Sequence, residues 1–161
     1  MRIAEHLSRN VEWSTLRDIT GTTDNTGKAL RNLLSAPTAD AARQAYWQLE
    51  NHIVAQGTVF EAAVPATMVL MAALAGELPI HVRIAVLDLL YQILSGTADA
   101  TEVAAGNGST VDRCRNHARE GLWGLVHESI NGPEETREAA RDVLRTIAAR
   151  DDLFLSLIEA T

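Results

Sequence analysis

Cysteine, aromatic residues and positive charge are all scarce in this chain of 161 residues. The single cysteine, Cys114, excludes a disulfide within the chain, so we expect a reducing, cytoplasmic location. Aromatic side chains make up only 4% of the residues, which favours closely packed helices over a sheet. The formal net charge is −7. This acidic balance disfavours a nucleic-acid partner and suits a basic protein partner.

Long apolar runs are also missing from the chain. The most apolar stretch, residues 62–75, is interrupted by Pro65 and is too short to span a bilayer. The first residues include no apolar segment that is long enough for a signal peptide. We therefore expect no membrane partner.

One spacing pattern occurs three times. Arginine is followed by alanine two residues later, by an aliphatic residue after six and by isoleucine after ten, starting at Arg43, Arg83 and Arg137. The first two copies are 40 residues apart, and the third follows after 54 because a polar, glycine-rich insert occupies residues 96–110. A period near 40 with helical internal spacing is typical of a solenoid of helix pairs. The pattern predicts an all-α fold with one domain, 1–161, in which about three helical hairpins form an α–α superhelix with capping terminal helices.

Turn signals and candidate caps set the limits of the expected helices. A loose apolar stripe near the N-terminus precedes a break at residues 20–24, and Pro65 is expected to kink or restart a helix that is apolar nearly all round. The further helices are expected at about residues 24–36, 38–54, 59–75, 79–94, 110–130 and 133–149, with a short terminal helix at 151–159.

Several segments resemble HEAT-repeat proteins, which are armadillo-type α-solenoids. Residues 79–85 (PIHVRIA) and 133–139 (PEETREA) resemble the start of the second helix of such repeats. Three further segments resemble short actinobacterial HEAT-like proteins: residues 47–49 (WQL), the series QGTVF followed by AVP within residues 56–65, and the pairs Cys114-Arg115 and Gly121-Leu122. The resemblance covers residues 38–150 and implies a protein-binding solenoid. Some compact proteins of this kind are immunity partners of bacterial toxins.

No catalytic motif, cofactor motif or metal-ligand spacing is present, so we expect a non-enzymatic protein without a cofactor or metal. The alternative is a small-molecule or enzymatic pocket near Cys114, His117 and Trp123, in which two flanking arginines lower the thiol pKa. The competing interpretation of Cys114 is a small buried core residue. The repeated arginines are expected to bond carboxylates or helix-end carbonyls, for which Asp40, Asp88 and Asp142 are candidates, rather than to form a ladder for an anion.

The candidate partner-binding residues are aromatic, acidic and polar side chains on the first two repeated helices. They are Trp47, Glu50, His52, His81, Asp88 and Gln92. A basic toxin or effector is the partner class that we expect, and the oligomeric state stays open. The insert at residues 96–110 is expected to be more mobile than the helices.

Overall fold

A computed structural model describes residues 3–22, 24–148 and 156 of the chain, and within them helices dominate, which confirms the all-α prediction. A short 3-10 turn at Trp13–Thr15 follows the first helix. The helices are α1 (Ile3–Asn10), α2 (Asn25–Leu34), α3 (Ala39–Glu50), α4 (Ala63–Leu74), α5 (Ile80–Ser95), α6 (Ala100–Ala104), α7 (Thr110–Glu120), α8 (Leu122–Asn131) and α9 (Glu134–Ala148). The expected terminal helix at 151–159 lies outside the described residues, apart from Ser156, which is helical.

The three helices with the repeated pattern, α3, α5 and α9, lie side by side, because α5 packs against both α3 and α9. Each also packs against a preceding helix, which gives the pairs α2–α3, α4–α5 and α8–α9. The isoleucine of the first two copies, Ile53 and Ile93, is fully buried, and Ile147 of the third is nearly so. The repeated apolar positions therefore form the core, whereas the superhelical arrangement stays a prediction.

Helix α4 lies at the centre of the structure, in contact with α1, α5 and α7. Nine of its twelve residues are buried, as its apolar sequence predicts. The expected start at residue 59 is wrong, because the helix begins at Ala63. Pro65 lies in the first turn, where a missing N–H costs no helical hydrogen bond, so this proline neither kinks nor restarts a helix that is already running.

Around residue 55, where the sequence suggested the end of one helix and the start of the next, the chain forms two short strands. Helix α3 ends at Glu50, and β3 (Val54–Ala55) pairs with β4 (Thr58–Val59) in an antiparallel hairpin. Gln56 and Gly57 have φ angles of 51° and 81°, which a two-residue hairpin turn of right-handed twist requires. Gly57 thus has a left-handed conformation that serves a β-turn and not the end of a helix.

A further hairpin near the N-terminus joins β1 (Arg17–Asp18) to β2 (Gly21–Thr22). It replaces the simple break expected at residues 20–24. The backbone of this hairpin bonds to the rest of the fold, since Ile19 N donates to His52 O and Ala62 N donates to Arg17 O, both at 3.0 Å.

The insert at residues 96–110 has secondary structure of its own. Strand β5 (Thr97–Ala98) pairs with β4 in parallel, and α6 follows directly. Glu102 in α6 is fully buried, with an oxygen 3.2 Å from Arg17 Nε and its other oxygen accepting from Asn107 Nδ2 at 2.8 Å. The contact with Arg17 attaches the insert to the N-terminal hairpin, which the polar, glycine-rich sequence of the insert did not indicate.

The helix expected at residues 110–130 is two helices, α7 and α8, separated at Gly121. A Cβ atom at Gly121 would lie 2.6 Å from the Met71 side chain, so a residue without a side chain permits this close approach to α4. Helix α7 packs against α4, while α8 packs against α9. The break at Gly121 lets residues 110–131 contact both α4 and α9.

Candidate functional site

Helix α3 presents two adjacent aromatic residues with different environments. Tyr46 is half-buried, whereas 51% of Trp47 is exposed. Their rings meet edge to face, with centroids 5.5 Å apart and an interplanar angle of 79°. Thr38, at the expected start of this helix, caps it by accepting from Ala41 N at 3.2 Å. The ring contact packs Trp47 against Tyr46 and leaves about half of the Trp47 side chain exposed.

The hydroxyl of Tyr46 on α3 lies near the carboxylate of Asp88 on α5. Burial raises the pKa of the Tyr46 hydroxyl far above its usual value, and the negative charges of Asp88 and Glu50 raise it further. Tyr46 therefore stays neutral at physiological pH. Its proximity to Asp88 places that carboxylate beside Tyr46 of the aromatic pair.

Helix α5 exposes a narrow stripe of residues on the side that carries Asp88. Ile80, Ile84, Asp88 and Tyr91 are spaced by four, four and three residues, so they share one helix face. The exposed fractions of Ile84 and Tyr91 are 41% and 40%. Ile84 and Tyr91 lie about one turn before and after Asp88 on α5, and exposed Trp47 lies on α3, which packs against α5. We call Trp47, Ile84, Asp88 and Tyr91 the Trp47 face.

Negative charge accompanies the apolar groups of the Trp47 face. Glu50 is half-buried and lies one helical turn after Tyr46, and one of its oxygens is buried with no hydrogen-bond partner among the described residues. Arg43, on the preceding turn of α3, already pairs with Asp40 at 2.9 Å. The face therefore combines exposed apolar surface with the carboxylate of Asp88, and Arg43 of α3 already has Asp40 as its ion-pair partner.

The other sequence-predicted residues lie farther from the Trp47 face. His81 Nε2 is 2.9 Å from Ala36 O, which ties the first turn of α5 to the loop between α2 and α3. His52 follows the end of α3, and its Nδ1 contacts Gln48 O. Gln92 is half-buried one turn beyond Asp88. The structure thus brings Trp47, Glu50 and Asp88 together and places the two histidines elsewhere.

Ile84 and Tyr91 were not predicted as surface residues. Helix α5 is apolar on most sides, and seven of its sixteen residues are buried. A sequence of this kind does not mark which apolar side chains face outward. The spacing of Ile80, Ile84, Asp88 and Tyr91 was the available signal, because an aspartate on an apolar helix indicates its exposed side.

The repeated arginines act as structural residues, which confirms that interpretation. Arg83 donates to Glu128 at 2.7 Å and to Gly76 O at 2.9 Å, and Arg137 donates to Gly132 O at 2.8 Å. Gly76 lies just after α4, the helix before α5, and Gly132 lies just after α8, the helix before α9. Arg43 pairs with Asp40 as expected, whereas Asp142 pairs with Arg145 and Asp88 lies near the Tyr46 hydroxyl.

Cys114 belongs to the core, as the competing interpretation predicted. Its side chain is fully buried on α7, and burial raises the pKa of the thiol to about 11. The flanking arginines lower this pKa less than burial raises it, so the activated thiolate of the alternative hypothesis is wrong. His117 lies 3.3 Å from Glu120 at the surface, and Trp123 on α8 is 69% exposed.

Within residues 3–22, 24–148 and 156, no group of three or more histidine, cysteine, aspartate or glutamate side chains is arranged to hold a metal ion. The helices in the same part of the chain are too short or too polar to cross a membrane.

The fold and the site define an all-α protein with an exposed apolar and acidic face on two packed helices. Comparisons of the chain with protein-family models, with curated proteins and with solved structures find no match.

Proposed function

We propose that this chain is a non-enzymatic interaction protein that binds a basic protein partner through the Trp47 face. The observation that carries the proposal is the exposure of Trp47, Ile84 and Tyr91 around Asp88 on two helices in contact. Large apolar side chains grouped on a surface mark interaction sites more often than isolated ones do. Tryptophan and tyrosine are also the residues that most often contribute large shares of binding energy.

The charge of the chain supports a basic partner. The formal net charge is −7, and the face includes Asp88 with Glu50 nearby. Opposite charges accelerate association and disfavour acidic competitors, while the apolar contacts determine how long a complex lasts. Formation of the complex should therefore slow as salt concentration rises.

The helix pairs α2–α3, α4–α5 and α8–α9 support the proposal that the fold is a HEAT-like superhelix of about three hairpins. Interaction through a surface formed by successive repeats is the usual function of such solenoids. Under the HEAT resemblance, the specific proposal is an immunity protein that neutralises a basic toxin or effector, and a scaffold protein is the broader form of the same idea.

The test is affinity purification of the tagged chain from its native source at low and high salt, with each captured protein then purified and titrated directly. The Asp88→Lys variant reverses a charge on the Trp47 face, and Asp112→Lys reverses one on exposed Asp112 of α7 as the matched control. We expect a stoichiometric basic partner that the Asp88 variant loses and the control retains. Equal binding by both variants, or no stoichiometric partner, would contradict the proposal.

A further inference from the structure

A cleft of about 800 Å³ opens between the C-terminal ends of α2 and α4, with α1 and the start of α5 forming its other walls. Its walls are mainly apolar, and several are alanines that leave the space unfilled. They include Ala4, Leu34, Ala72, Ala73, Ala75 and Leu78. Clefts of 300–1,000 Å³ with mainly apolar walls are typical small-molecule sites. The cleft does not include any residue of the Trp47 face, so it is independent of the proposed function.

Ser8 supplies a buried hydroxyl at the wall of this cleft. The residue is fully buried, and its Oγ has no hydrogen-bond partner among the described residues. The Ser8 backbone oxygen is already used, since it accepts from Trp13 Nε1 at 2.8 Å. A buried hydroxyl without a partner costs roughly 1–3 kcal/mol, which an acceptor in the cleft would offset. The cleft therefore offers one donor in an apolar setting.

Arg31 supplies the positive charge. It lies in the last turn of α2, lines the cleft and is half-buried. Within the described part of the chain its guanidinium makes neither an ion pair nor a hydrogen bond. Guanidinium groups bind carboxylates through paired N–H donors, and burial strengthens such contacts. Arg31 is thus the charged group at the cleft that is best able to hold a ligand.

The negative groups around the cleft are largely offset. Glu5 pairs with Arg9, and the carbonyl of Gly76 at the end of α4 accepts from Arg83. Glu77 lines the cleft but is exposed to solvent, where water screens its charge. Among the described residues, Arg31 is therefore the charged side chain at the cleft that is free to pair with an anionic group of a ligand.

We propose that this cleft binds a small carboxylic acid with an aliphatic body, such as a medium-chain fatty acid. Arg31 holds the carboxylate, the alanine-rich walls cover the hydrocarbon chain, and the Ser8 hydroxyl donates to an oxygen of the ligand.

Isothermal titration of the full chain with octanoate, octylamine and octanol tests this assignment. We expect one octanoate per chain, and binding at least tenfold weaker for the amine and the alcohol. Arg31→Gln should weaken octanoate binding at least tenfold, and Ala75→Phe, at an exposed position on the wall, should abolish it by filling the space. The matched control is Arg43→Gln on the exposed side of α3, which should bind as the wild type does.

Circular dichroism of each variant confirms folding before titration. Three results would overturn the assignment: no octanoate binding by the folded wild type, octylamine binding as tight as octanoate binding, or an Arg31→Gln variant that binds octanoate like the wild type.

Discussion

The buried ion pair between Arg83 and Glu128 joins α5 to α8, and its removal tests how the last two helix pairs are held together. Arg83 Nη1 lies 2.7 Å from Glu128 Oε2, and the two side chains are only 13% and 7% exposed. The second carboxylate oxygen accepts from Thr136 Oγ1 at 2.5 Å, which adds α9 to the network. Gly76 O, after α4, accepts from Arg83 at 2.9 Å. One carboxylate and one guanidinium therefore connect four helices.

The Glu128→Ala variant should lose stability because it leaves Arg83 buried without its counterion. Removing one member of a buried pair costs roughly 3–5 kcal/mol. Arg83 keeps its bond to Gly76 O in the variant, so we expect a loss near the lower end, about 3–4 kcal/mol. For a domain of this size each kcal/mol lowers the melting temperature by about 2–4 °C, which predicts a decrease of roughly 6–16 °C.

Urea unfolding followed by circular dichroism measures this difference. Glu138→Ala is the matched control, because Glu138 pairs with Arg141 and Arg145 at the surface and should matter little. The double variant Arg83→Met, Glu128→Leu should regain most of the loss, since it removes both charges and fills the space. If Glu128→Ala were no less stable than Glu138→Ala, the network would not hold these helices together.

Three further predictions concern local packing, burial and the insert. Gly27→Ala should destabilise the fold by about 1–3 kcal/mol, because the new Cβ would lie 2.3 Å from the Trp13 ring. Gly124→Ala is the control: its Cβ would have no atom within 4 Å, so we expect a slight stabilisation. Thermal melts measure both differences. Folding raises the pKa of the Cys114 thiol from 9.0 to about 11, so the contribution of the neutral thiol to the unfolding free energy is complete below pH 9 and is lost as the pH rises towards 11. Cys114→Ala should therefore show a smaller decline of the unfolding free energy at alkaline pH than the wild type. An unchanged decline would contradict this prediction. In hydrogen exchange, we expect the insert to exchange faster than the long helices. The amides of Thr97 and Asp99 should be its slowest, because they donate to Gly57 O and Val59 O, and uniform exchange across the insert would refute the β4–β5 pairing.

The helical core was predictable because its signals are local and periodic. The spacing of Arg, Ala, aliphatic and Ile identified α3, α5 and α9, and Thr38 and Pro79 marked the starts of two of them. These residues act through caps and through faces with a period of 3.6 residues, which a single segment reveals.

The short strands and the helix break depend on distant partners, so local patterns could not reveal them. Strand β4 pairs with β5 across almost forty residues, and the burial of Glu102 depends on Arg17 in the N-terminal hairpin. Gly121 separates α7 from α8 because Met71 of α4 approaches it closely. Each feature is set by tertiary contacts that override the helical propensity of the segment.

The candidate site was predictable only in part, because its arrangement also depends on tertiary contacts. Trp47, Glu50 and Asp88 were recognisable by residue type, but Ile84 and Tyr91 resemble core residues of an apolar helix until the packing of α5 is known. The cleft lined by Ser8 and Arg31 involves four helices, and no motif accompanies it.

The most direct test of the central claim is the dissociation constant of the purified complex for Trp47→Ala beside Trp123→Ala. Both tryptophans are more than half exposed, so neither substitution should unfold the chain, but only Trp47 belongs to the proposed face. A tryptophan at the centre of an interface contributes about 2 kcal/mol or more, which corresponds to roughly thirtyfold weaker binding. We expect that loss for Trp47→Ala and wild-type affinity for Trp123→Ala. Wild-type affinity for Trp47→Ala would show that the partner binds elsewhere.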